Sequence, residues 1–136
     1  MKTPCAFCSD FSGLELVYED DVAAVAIHED WAVLGHVMVI AKQHVENLSE
    51  LLDADRFMRV YRRAERVLLQ LTGAERAIIL KLGIVTPHLH LHIYPVSASL
   101  DRKAVLDIID GRVRVEVDQE FVERVGKALD TAASDE

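Results

Sequence analysis

Three histidines recur at alternate positions in "TPHLHLHIYP", residues 86–95: His88, His90 and His92, separated by Leu89 and Leu91 and followed by Ile93. The chain has six histidines, so half of them fall within five residues. In an extended strand successive side chains point to opposite faces, so the three imidazoles share one face and the apolar residues share the other. Neighbours on that face stand about 6–7 Å apart and the outer pair about 13 Å. Two of the rings could share a metal ion; all three could not without distorting the strand. Two chemistries are therefore open. One is a metal site built on His-x-His. The other is nucleophilic attack on phosphorus, which suits an imidazole because its ordinary pKa of about 6.5 leaves much of it neutral at pH 7. A nucleophilic ring needs its second nitrogen held as a donor, which fixes the tautomer. Its neighbours can then contact phosphate oxygens and the leaving group. An ordinary polar strand face would carry Thr, Lys, Glu and Ser instead.

The only cysteines, Cys5 and Cys8, lie in "CAFC". A disulfide there would close a very short loop and stabilise little. In a reducing compartment C-x-x-C reads as half a zinc site or as a redox pair. The redox form wants a strand before the pair, and four residues leave no room for one.

Strands must present these groups. "LELVYE" (14–19) and "DVAAVAIH" (21–28) predict two strands joined by an acidic turn, "EDWAVLG" (29–35) a connection, and the β-branched "HVMVIA" (36–41) a buried strand. Leu51, Phe57, Val60, Tyr61, Ala64, Val67, Leu68 and Leu71 recur at helical spacing, with Arg59, Arg62, Arg63, Glu65 and Arg66 largely opposite. That pattern predicts a long helix over 53–72, with Asp53 as N-cap and Gly73 as its stop. "RAIILKL" (76–82) and 88–95 predict two more strands. In the tail, 100–109 reads as a short helix, and "DQEFVERVGKALDTAA" as a helix capped by Asp118 with Phe121, Val122, Val125 and Leu129 inward; the closing "ASDE" should fray. The expected fold is α+β: an antiparallel sheet of about five strands, one long helix packed on it, and a C-terminal helical tail. All 136 residues form one domain, with its core over about 5–95 and an extension over 96–136.

Composition narrows the partners. Fifteen basic against 23 acidic residues give a net charge of −8, which argues against a nucleic-acid backbone but not against a small phosphate ligand. No apolar run approaches the ~20 residues that cross a bilayer, and the N-terminal stretch lacks the apolar core of a signal peptide. A cytoplasmic location is expected.

"HLHLHIY" resembles the His-φ-His-φ-His-φ-φ signature of the histidine triad (HIT) family. Upstream, "VYEDDVAAVAIHEDWAVLGHVMVIAKQHVENLSEL" is similar to the same family's run: Tyr-Glu-Asp, an apolar strand, Gly35-His36, a β-branched strand, a basic residue, then His44 before a Leu-rich helix start. "CAFC" recurs in its zinc-binding members. The resemblance runs from about Cys5 to Pro95. It implies a nucleotide hydrolase or nucleotidyltransferase of the dinucleoside polyphosphate or nucleoside phosphoramidate type. His90 would attack the α-phosphorus, His92 would contact the phosphate or protonate the leaving group, and His36 would orient them. It also implies a structural zinc on Cys5, Cys8, His44 and His88, and a homodimer in which two sheets join. On that reading the triad divides into one ligand, one nucleophile and one phosphate contact.

The chain departs from the family pattern in places. Ile84 and Val85 stand where polar residues are common, which leaves Thr86 as the hydroxyl for a phosphate contact. His28 stands where many members carry an acid or amide for the ribose. Ser97 and Ser99 follow the triad in place of Pro-Arg, with Ser97 a replacement phosphate contact or part of a solvated loop. Lys42 is the nearest basic residue to the expected site. Trp31 either stacks on a base or caps the core. Two other functions stay open: a metallohydrolase with a catalytic metal on His88 and His90, and a nucleotide-binding protein without turnover.

Overall fold

The computed structural model describes residues 5–9 and 11–136. The elements are α1 (Ala6–Ser9), β1 (Leu16–Glu19), β2 (Ala23–Ile27), β3 (Val37–Ala41), α2 (Ala54–Thr72), β4 (Arg76–Leu80), β5 (His90–Val96), α3 (Arg102–Ile109) and α4 (Gln119–Ser134). The five strands form one antiparallel sheet in the order β1-β2-β3-β5-β4. The fold is α+β, as the patterning predicts.

Alternation along the strands divides the sheet into two faces. Val37, Val39, Leu89, Leu91 and Ile93 join Phe57, Val60, Val67 and Leu68 of α2 and Phe121, Val122, Val125 and Leu129 of α4 in the main core. Each such Val, Leu or Phe contributes about 1.5–3 kcal/mol by leaving water. Side chains of opposite parity face the other way and make two smaller clusters. Phe7, Ala26, Met38 and Ile40 gather at one end, under the N-terminal segment. Ala32, Tyr94, Val96 and Ile108 gather at the other, under α3. His90 and His92 belong to the same parity and stand between the two clusters, with register partners Ile40 and Met38 on β3.

Local chemistry sets the boundaries. Asp53 accepts from the backbone N–H of Arg56 at 3.2 Å, and Gly73 ends α2 in a left-handed conformation (φ 74°). Asp20 accepts from Val22 N (2.8 Å), Ala23 N (2.9 Å) and the Tyr18 hydroxyl (2.7 Å), closing the β1–β2 turn. Gly35 has φ 87°, and a Cβ there would meet Leu68 and Phe121 at 3.3 Å. Only glycine lets the chain turn this close to the core and enter β3 at His36.

Two expectations are corrected. The last strand begins at His90, not His88, because the Leu89 N–H turns to Val45 O (2.7 Å) and His88 N to Thr86 O (2.8 Å). The C-terminus does not fray. α4 runs to Ser134, and Glu136 pairs with Arg63, a nearly buried guanidinium that lies over the Tyr18 ring. A buried cation without a carboxylate would be costly, so the final residues are held.

Candidate functional site

A cavity of about 500 Å³ opens on the face opposite α2. His90 and His92 of β5 form its floor with Met38 of β3; Phe7 and Leu14 wall it on the N-terminal side, and the loop Leu82–Thr86 on the other. His28 and Glu29, just past β2, complete the rim. Phe7 stands edge-on to the His90 ring at 5.0 Å between centroids. Thr86 and His28 therefore both line this cavity.

His90 is 8% exposed, and its Nδ1 donates to the carbonyl of His88 at 2.7 Å. Only an Nδ1–H can make that bond, so in the neutral ring Nε2 carries the lone pair. Burial, the main cause, holds the His90 pKa below the ordinary value and keeps the ring neutral at pH 7. His92 shares a hydrogen bond with His36 (Nδ1 to Nε2, 3.0 Å). Burial, reinforced by the neighbouring histidines, pushes His36 down to about 2 and His92 to about 4. His36 is buried at the start of β3 and stacks on His28 (centroids 4.3 Å apart, planes 13° apart). The His28 Nδ1 sits 2.8 Å from the carbonyl oxygen and 3.1 Å from the amide nitrogen of Asp30, so that turn holds the ring in either tautomer.

Cys5, Cys8, His44 and His88 converge, with one donor atom of each within 4.8 Å of all the others. The His88 Nδ1 lies 3.2 Å from Cys5 Sγ, 3.6 Å from Cys8 Sγ and 3.2 Å from His44 Nδ1; Cys8 Sγ lies 3.1 Å from His44 Nδ1. Tetrahedral zinc with ordinary Zn–S and Zn–N bonds separates its ligand atoms by about 3.3–3.8 Å. The His88 Nε2–H is already spent on the carbonyl of Ala41 at 2.6 Å, so in the neutral ring Nδ1 has only a lone pair to offer. Such an outer hydrogen bond is what orients a metal-bound histidine. Two thiols and two imidazole nitrogens aimed at one point fit zinc in type, number and spacing.

The remaining expected residues sit elsewhere. Lys42 pairs with Glu19 and lies over the Phe11 ring, outside the cavity lining. Ser97 follows the far end of β5, about 20 Å along the strand from His90, and its hydroxyl bonds Ser99 Oγ at 2.8 Å and accepts from Ser99 N. Trp31 is buried against Phe121 and caps the core. His88 and His90 do not converge on a common ion: the free nitrogen of His88 faces the cysteines, while His90 lines the cavity. Phe7, Leu14, Met38 and Leu82 were not singled out in the sequence, although Met38 carries a signal, being placed on the site face by the alternation of β3.

A family model described as HIT domain matches residues 13–98. Among solved structures the chain is similar to a hypothetical histidine triad nucleotide-binding protein from Sulfolobus tokodaii, at 24% identity over 96% of this chain and 93% of that one, with a TM-score of 0.69. It is similar to a zinc-bound histidine triad family protein from Mycobacterium smegmatis, at 23% identity over 97% of each chain, with a TM-score of 0.68. It is also similar to a HIT family hydrolase from Clostridium thermocellum, at 18% identity over 75% of this chain and 98% of that one, with a TM-score of 0.58. At these identities the structures establish the fold, and the family model covers more than half the chain and contains the whole triad, so the chain belongs to the HIT domain family.

Proposed function

We propose that this protein is a nucleotide hydrolase or nucleotidyltransferase that works through a covalent nucleotidyl-histidine on His90. One observation carries the reading: the His88 carbonyl takes the Nδ1–H of His90, which leaves the Nε2 lone pair on a buried, neutral ring at the floor of a 500 Å³ cavity. The His90 Nε2 attacks the α-phosphorus, a P–N bond forms, and the bond from phosphorus to the leaving group breaks. The His92 Nε2–H, whose Nδ1 accepts from the His36 Nε2–H, hydrogen-bonds the leaving-group atom as negative charge develops there, and the departing group draws its proton from water. Water, or another acceptor, then attacks the same phosphorus and loses its proton to solvent, and the P–N bond breaks to release the neutral His90 ring. Two displacements replace one difficult step. Thr86 would contact the phosphate and His28 would bond the sugar hydroxyls in place of an acid, a reading supported by their both lining the cavity. The likeness to a nucleotide-binding protein and to a hydrolase of the same fold supports the substrate class.

Cys5, Cys8, His44 and His88 would hold a structural zinc, as the donor spacing and the likeness to a zinc-bound relative support. Bound there, zinc supplies a rigid cross-link between the N-terminal segment and the start of the catalytic strand. We further infer a single domain that works as a homodimer in the cytoplasm; no helix among the described residues is long and apolar enough to cross a membrane. The net charge of −8 favours a small nucleotide over a nucleic acid as ligand.

The test is to mix the protein with a panel of dinucleoside polyphosphates and nucleoside phosphoramidates, quench in alkaline denaturant and measure intact mass. A nucleotidyl adduct on His90, absent from His90→Asn, is the expected result. Binding of nucleotide with neither adduct nor product from any member would favour the binding-only reading.

A further inference from the structure

A second group of imidazoles lies apart from the cysteine cluster. His28, His36 and His92 each bring one ring nitrogen within 4.8 Å of the other two. They come from three places, the segment after β2, the start of β3, and β5, so only the folded sheet assembles them. A separate cavity of about 280 Å³ borders the three rings, and Asp30 and Arg114 line it as well. Hydrogen bonding does not account for the cluster. His36 and His92 share one bond, and among the described residues the His28 Nε2 has no hydrogen-bond partner, so three ring nitrogens converge with a single bond between them.

We propose that His28, His36 and His92 form a second metal site, selective for a borderline divalent ion such as Zn²⁺, Co²⁺ or Ni²⁺. Three neutral imidazoles with no thiolate suit these ions and offer little to Mg²⁺ or Ca²⁺, which take oxygen ligands. The 3.0 Å between His36 Nε2 and His92 Nδ1 is close to the ~3.3 Å edge of a tetrahedral ion with Zn–N bonds of about 2.0–2.1 Å. His28 supplies the third nitrogen. Its Nδ1 is engaged by Asp30, so Nε2 is the donor, and the ring must tilt out of its stack on His36 to aim it. His28 is partly exposed and sits on a connecting segment, which permits that movement. The cavity leaves a fourth position for water or for the Asp30 carboxylate, now 3.4 Å from Arg114. An ion held there takes a nitrogen of His92 and of His28, both of which also border the larger cavity. The site is thus independent of the cysteine cluster in its ligands, and it opposes use of the larger cavity.

The experiment is titration of the full-length, one-zinc protein with Co²⁺, followed by absorption spectroscopy and equilibrium dialysis. One further equivalent should bind, giving visible ligand-field bands without the near-ultraviolet charge-transfer band that sulfur ligands produce. His28→Asn and His92→Asn should each weaken this second ion by at least ~100-fold while keeping one zinc and the wild-type circular dichroism. The proposal is overturned if the protein saturates at one metal ion, or if a second ion binds with equal strength in both variants. No nucleotide enters the assay, so its outcome is separate from that of the nucleotidyl reading.

Discussion

The carbonyl of His88 holds the Nδ1–H of His90 at 2.7 Å, while the ring of the same His88 faces Cys5, Cys8 and His44. One residue thus ties the His90 tautomer by its backbone and the cysteine cluster by its side chain. Losing the cluster should loosen both. Cys8→Ser is expected to bind less than one zinc per chain and to lose about 3 kcal/mol, near 10 °C in Tm for a chain of this size. The ¹⁵N shifts of the His90 ring, which report its tautomer, should move in the same variant. Unchanged Tm and ring shifts would break the link between the two sites.

His92 is assigned to the departing group rather than to the attack. A hydrogen-bond donor to the departing group matters most when that group is a strong base. His92→Asn should therefore lower kcat by ~10²–10³ for a substrate with a poor leaving group. With a nitrophenolate-type leaving group the loss should be at most about tenfold. Equal losses on the two substrates would contradict the assignment.

His36 is kept neutral by burial, with a pKa pushed down to about 2. In the unfolded chain it titrates near 6.5. Between those values the unfolded state binds the proton and the folded state does not, so stability falls as pH drops below about 6.5 and continues falling until the folded pKa is reached. The slope for one such group is about 1.4 kcal/mol per pH unit. His36→Leu removes this contribution. Urea melts of wild type and variant between pH 6.5 and 4.5, each carrying one zinc at the start, should converge by roughly that slope. Titrations common to both proteins cancel in the difference, and parallel curves would show that the folded ring is already charged.

The long helix was legible almost residue by residue because its signals are local. Asp53 and Gly73 bracket one amphipathic repeat, and both do the capping expected of them. The alternation in "HLHLHI" likewise fixed which face of β5 carries the imidazoles. Long-range placement was less accessible. Nothing near Ile108 says that α3 turns back over Tyr94 and Val96 to close one end of the histidine face. Nothing local to Phe7 says that it walls the other end. The convergence of Cys5 and Cys8 on His44 and His88 came from family resemblance, because contacts 36 to 83 residues apart leave no periodic trace. Lys42 is a candidate by its nearness to the expected site and Ser97 by its place after the triad in the family pattern, and neither is among the residues that line the cavity.

Gly35 precedes His36 for a steric reason. Its φ of 87° is unfavourable to any residue with a Cβ, and that Cβ would press on Leu68 and Phe121 at 3.3 Å. Gly35→Ala should cost about 1–3 kcal/mol. It should also displace His36 and so reduce kcat, whereas Gly73→Ala, with no atom within 4 Å of its added Cβ, should lower stability alone. Denaturant melts and kcat for the two variants separate these effects.

β4 closes one side of the sheet, and its outer backbone edge is unpaired among the described residues. Exposed edges invite pairing with another chain unless they are blocked. Here they are not: Ile79 is 51% exposed, and beyond the strand Leu82, Ile84 and Val85 are 58%, 80% and 95% exposed. Two copies joined through this edge would cover the apolar run and bring each chain's cavity loop next to its partner. The expected species in sedimentation equilibrium is therefore twice the chain mass. Ile79→Lys places a charge in the middle of the run and should raise the dimer dissociation constant by at least ~100-fold, about 2.7 kcal/mol, with the monomer's circular dichroism unchanged. Because Leu82, Ile84 and Val85 also line the cavity over His90 and His92, the monomer should show a raised KM. A wild-type protein that sediments as a monomer at micromolar concentration would remove β4 as the contact.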